Sequence, residues 1–138
     1  MTHPTLKILM ASLVAATLGS VALTNPAAAG GSISFDIAPT NAQDAQALKA
    51  GLQIYSIVNA VQNGASIKQI GMNNLAGIGQ AGSGNLGIVH QKGNGHSGTL
   101  LQNGNNNAYG IFQFGENTNG SCAQYGNNQS SLTTVFGF

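Results

Sequence analysis

Charge is almost missing from this sequence. Beyond Lys7 it carries Lys49, Lys68 and Lys92 against Asp36, Asp44 and Glu116, and it has no arginine. Nucleic acid is excluded as a partner, because phosphate binding needs clustered Lys and Arg. The three carboxylates are too scattered for an acid–base pair, which a polysaccharide lyase or hydrolase built on a β-helix would need. Cys122 is the single cysteine, so no disulfide closes within the chain, and a thiol nucleophile would need a partner base. His90 and His96 have no third ligand nearby, which leaves no metal site. No Gly-Lys-Ser or Gly-Lys-Thr follows the glycine-rich stretches, so there is no phosphate loop. These absences predict a chain that is not an enzyme and has no cofactor, metal or small-molecule substrate. A surface this poor in charge also does little to repel a second copy.

What the chain does have is a period. Gln69, Gln80, Gln91, Gln102, Gln113 and Gln124 stand eleven residues apart. Two residues after each comes Gly71, Gly82, Gly93, Gly104, Gly115 or Gly126, and two before comes Ile67, Ile78, Val89, Leu100, Ile111 or Cys122. A fixed period without insertions marks a unit stacked on copies of itself. Residues two apart share one face of a strand but scatter around a helix. The apolar residue and the Gln therefore point inward together, and Cys122 packs as a small hydrophobe. Gly ends the strand, and the Gly, Asn and Ser that follow suit turns.

A second alternation doubles the period to 22: five residues after the key position one series holds Asn63, Asn85, Asn107 and Gln129, and the other the looser set Asn74, His96 and Thr118. Two strands then make one coil. Val58 and Val135 continue the frame at its ends, which predicts an all-β β-solenoid of about four two-stranded coils over residues 54–138. Coils about 4.8 Å apart let identical Gln amides bond along the stack, and a buried amide left unpaired would cost about 1–3 kcal/mol. The end amides and strand edges are open to another copy.

Gln69-Ile70-Gly71-Met72-Asn73-Asn74 with a second Gln at 80, repeated at Gln80–Asn85 and Gln102–Asn107, resembles the curlin repeat. The resemblance implies a secreted structural subunit that self-assembles into extracellular curli-like amyloid fibres for adhesion and biofilm matrix, as major subunit or nucleator. It implies itself and a sister curlin subunit as partners, and recognition of an N-terminal segment by export machinery. The alternative is a monomeric β-solenoid that binds a surface, glycan or ice through one wall.

Met1 to Ala29 reads as a signal peptide, with Lys7, an apolar run from Ile8 to Leu23, and Ala27-Ala28-Ala29 before the cleavage point. In the segment 30–53, Ile33 to Ile37 alternates like a short strand, and a capped helix is predicted from about Ala42 to Leu52. Ile54 to Val58 is in register with the later columns and is read as the first strand. Outward-facing Phe112, Phe114 and Phe136 form a candidate contact patch on one wall. Tyr109 is the bulky exception in an inward column of Ala, Gly and Ser, and Leu132 to Phe138 reads as an open C-terminal edge.

Overall fold

The computed structural model describes residues 30–59 and 64–138. The predicted signal peptide and Asn63 lie outside them. Eight strands and one helix follow in order: β1 (Ser32–Ile37), α1 (Ala42–Val58), β2 (Ala65–Ile70), β3 (Leu75–Ala81), β4 (Leu86–Asn94), β5 (Ser97–Asn103), β6 (Ala108–Glu116), β7 (Asn119–Tyr125) and β8 (Ser130–Gly137). The protein is a β-solenoid with two walls. One is a five-stranded sheet ordered β1-β8-β6-β4-β2, and the other a three-stranded sheet ordered β3-β5-β7. Every pairing between repeat strands is parallel and offset by 22 residues, so Gln69 lies beside Gln91 and Ile78 beside Leu100. The frame read from sequence is the register of both sheets.

The core between the walls contains Val89, Leu100 and Ile111, all nearly free of solvent contact, with Ile78 and Cys122 against them. The apolar column and the small column opposite interlock. A side chain added at Gly98 would meet Gln113 Oε1 at 2.7 Å and Val89 Cγ1 at 2.9 Å. Tyr109 is buried in the same cluster, and its hydroxyl runs along the stack to Thr133 Oγ1 at 2.6 Å. Thr133 in turn donates to Asp36 of β1. Burial, first of all, raises the Tyr109 hydroxyl well above its ordinary range.

Three expectations need correction. The helix does not stop at Leu52 but continues to Val58, so Ile54–Val58 is helical and not the first strand. Leu48, Leu52 and Tyr55 pack onto Leu86, Ile88, Ala108, Phe112 and Leu132 on the outside of the five-stranded wall, and this burial extends the helix past its propensity limit. The stack therefore has three and a half coils, not four: β8 has no counterpart beyond β7 in the other wall. Finally, the C-terminal edge is not open. β1 pairs antiparallel with β8, setting Ile33 beside Phe136 and Ile37 beside Leu132. Asn41 caps the helix, accepting from the Asp44 N–H at 2.8 Å and donating to its carboxylate at 2.7 Å.

Candidate functional site: the amide ladders and the strand edges

Parallel stacking at one spacing brings like side chains together, and the amides respond by bonding in series. In the five-stranded wall Gln69 Nε2 donates to Gln91 Oε1, and Gln91 Nε2 to Gln113 Oε1, each at 2.8 Å. In the other wall Gln80 donates to Gln102 at 2.7 Å and Gln102 to Gln124 at 2.8 Å. Each amide from Gln80 onward has a second bond that the sequence did not suggest. Its other N–H reaches a carbonyl sixteen residues back, as Gln91 does to Leu75 O at 2.8 Å and Gln113 to Ser97 O at 2.8 Å. The ladders thus stitch successive coils together and also clamp one wall to the other. Gln91, Gln102 and Gln113 are fully buried, and their hydrogen bonds offset the cost of desolvating the amides.

The Asn column works at the corners. Asn74, Asn85 and Asn107 donate to the carbonyls of Gly93, Gly104 and Gly126, and accept from the N–H groups of His96, Asn107 and Gln129. His96, which interrupts the column, does the same acceptor work: its Nδ1 accepts from the Thr118 N–H at 3.4 Å and lies 2.7 Å from Thr118 Oγ1, and the ring is buried. A second corner column went unread. Asn94, Asn105 and Asn127 accept from Met72 N, Ser83 N and Asn105 N at 2.8–2.9 Å. A third is conformational: Asn73, Gly84, Gly95, Asn106, Asn117 and Asn128 all have positive φ. Its signal was available, since four residues after each Gln the sequence holds only Gly or Asn.

The turn glycines have two reasons to be glycine. Gly71, Gly82, Gly93, Gly104, Gly115 and Gly126 all have positive φ. A Cβ on Gly104 would sit 1.8 Å from the Gly126 carbonyl oxygen of the next coil.

The aromatic patch is largely engaged within the chain. Phe112 lies under Tyr55 of α1, with ring centroids 5.2 Å apart, and Phe136 stacks on Phe114 at 5.4 Å while Phe35 of β1 meets its edge. Beside it the Tyr55 hydroxyl lies 2.5 Å from His90 Nδ1. Burial, then Lys68 and Lys92, hold His90 below the ordinary histidine range.

The two ends of the stack differ. At the β2/β3 end Ile67, Met72 and Leu75 are 46%, 69% and 65% exposed, and among the described residues nothing donates to Gln69 Oε1 or Gln80 Oε1. At the other end β1 covers β8, but among the described residues no strand pairs with the outer edge of β7. Among the described residues no group of three or more His, Cys, Asp or Glu could hold a metal.

No curated protein and no solved structure matches the chain. A family model does: residues 62–86 match the one described as Curlin associated repeat. The matched segment contains Gln69 and Gln80, the first rung of each ladder, and the later strands repeat it at the same 22-residue spacing. Residues 62–86 are thus similar to the Curlin associated repeat, and the solenoid stacks strands at the spacing of that segment.

Proposed function

We propose that this protein is a secreted structural subunit that assembles with copies of itself into extracellular fibres of the curli type, serving adhesion and matrix formation. One observation carries the reading: the amide and backbone ladders run at constant register to a β2/β3 end that no strand among the described residues covers. An edge of this kind presents unpaired N–H and C=O groups and free amides to any chain with the same spacing. The near absence of charge lets two such edges approach. A sister curlin subunit would use the same edge, and residues 30–53 are the segment export machinery would recognise.

The β1–β8 pairing supports a second reading, a monomeric solenoid that binds a surface through one wall, because a covered edge blocks chain addition there. Fibre diffraction on the purified chain from Gly30, incubated without agitation, separates the two. Reflections near 4.7 Å and 10 Å are expected from filaments. A chain that stays monomeric for weeks would sink the fibre reading and turn attention to the walls.

A further inference from the structure

The missing half coil has a shape. Beside the bare edge of β7 is a groove of about 440 Å³ lined by Cys122, Ala123 and Gln124, with Ser131 of β8 and Pro39 and Ala42 of the N-terminal segment around it. The 22-residue translation that relates β7 to β5 and β5 to β3 defines what would come before β3: Gln53–Asn59 falls beside Leu75–Ala81. That segment is now the end of α1, and it is poorly suited to be there. Ile54, Ile57 and Val58 are 56%, 78% and 78% exposed, and Ile, Tyr and Val favour strands over helices. Its tie to the wall is Tyr55, against Phe112 and His90.

We propose that the groove is the seat for residues Gln53–Asn59 of a second copy, which leave the helix and become the missing strand of the three-stranded wall. The proposal rests on the assembly reading above. At the junction, β2 of the incoming copy lies beside β8 once β1 has left that edge, and Gln53–Asn59 lies between β7 and its own β3. The subunit then repeats every four coils. In this register Val58 follows Gln124 in one ladder, as Val135 follows Gln113 in the other. The two valines belong to the junction coil and face each other across its interior. Both ladders become runs of three Gln closed by one Val, so the junction replaces an amide rung with an apolar contact in both walls at once. Neither Gln53–Asn59 nor β7 has a charge to oppose the pairing.

The native Cys122 provides the test, because its neighbour in this register is Ser56 of the next copy. Parallel neighbours about 4.8 Å apart lie within the 4.4–6.8 Å Cα range of a disulfide. Fibres of Ser56→Cys, oxidised and dissolved without reductant, are expected to run as a ladder of covalent multimers. Ser56→Cys with Cys122→Ser should stay monomeric, its single cysteines being four coil spacings apart, and Ile57→Cys, which faces outward beside Ala123, should link at least several-fold less than Ser56→Cys. Wild-type fibres should stay monomeric, since successive Cys122 residues would be about 19 Å apart at four coil spacings. Fibres of Ser56→Cys that link no better than those of Ile57→Cys overturn the junction. If Ser56→Cys blocks fibre formation, hydrogen exchange in wild-type fibres decides: amides of Gln53–Asn59 as protected as those of β3 support the junction, and freely exchanging amides overturn it. A wild-type chain that forms no fibre overturns the assembly reading, and this junction with it.

Discussion

The two ends of this solenoid contain the same repeat but meet solvent differently. At the β2/β3 end the apolar column emerges at half-exposed Ile67, and no described residue donates to the oxygens of the first amides. At the β8 end the Gln column ends in buried Val135, a foreign strand covers one wall, and a bare groove remains in the other. Rungs in the middle have neighbours above and below, so stability should concentrate there. Addition of chains should depend on the ends.

The largest expected effect is on a turn glycine with a coil beyond it. Gly104→Ala pushes a Cβ into the Gly126 carbonyl and should cost about 3 kcal/mol or more, from strain and overpacking together. Gly126→Ala, past the last strand of its wall, meets only the flexible Gln129 side chain at 3.3 Å and should cost about 1 kcal/mol, the left-handed backbone penalty. Urea unfolding of the monomer measures both; equal losses would erase the distinction between middle and end.

Next come the amides. Gln102→Ala removes a buried side chain that bonds Gln80, Gln124 and Leu86 O, and should cost about 3 kcal/mol. Exposed Gln69 should cost under about 1 kcal/mol on removal. Elongation rates in seeded growth should rank in reverse for comparable end and middle rungs: replacing Gln69 or Gln124 slows addition more than replacing Gln91. Equal rates for all three would count against control by ladder ends.

Removing residues 30–38 takes β1 from β8 and leaves the helix cap in place. A lag shortened several-fold in unseeded assembly is expected; an unchanged lag would mean that β1 does not limit access to that edge.

The smallest effects are on pH. The fold holds His90 below the usual value of about 6.5, so the unfolded chain binds the extra proton first on acidification. This contribution is fully present above about pH 6.5 and is lost as pH falls from there through the lowered value of the folded state. Tyr55, Lys68 and Lys92 are the polar and charged groups around the ring. His90→Gln should flatten the decline in monomer stability between pH 7 and 5. Tyr109, near the β1-covered end, has the opposite sign. Its hydroxyl is held neutral above its ordinary value of about 10, so its contribution is present below that pH and lost above it, and Tyr109→Phe should flatten the alkaline limb.

Much of the architecture could be read directly because a stacked fold converts sequence period into register. Two-residue spacing placed Ile, Gln and Gly on one face, and the 22-residue alternation matched each strand to its neighbour two units on. The helix boundary was misread for a related reason. Ile54, Ser56 and Val58 satisfy the strand columns, but Leu52 and Tyr55 of the same segment satisfy a helix seated on Ile88 and Phe112. Periodicity reports which faces are apolar, not which surface will cover them. An outer signal for the helix was present: the outward positions Leu86, Ile88, Ala108, Gly110 and Leu132 are apolar or small where α1 lies, while β2 has Ser66 and Lys68.

By itself the sequence determined the coil, its two walls, the buried amides and the need for glycine at the turns, because each follows from spacing along the chain. The tertiary structure decided what happens at the boundaries. It folded residues 32–37 back onto β8, ended the stack half a coil short, gave the first strand's residues to a helix, and sent each buried Gln to a carbonyl of the facing wall. Apart from the amide clamps, which recur at sixteen residues, those contacts join residues at no fixed interval. They are set by which apolar faces and free backbone edges meet in space, and a repeating pattern has no term for them.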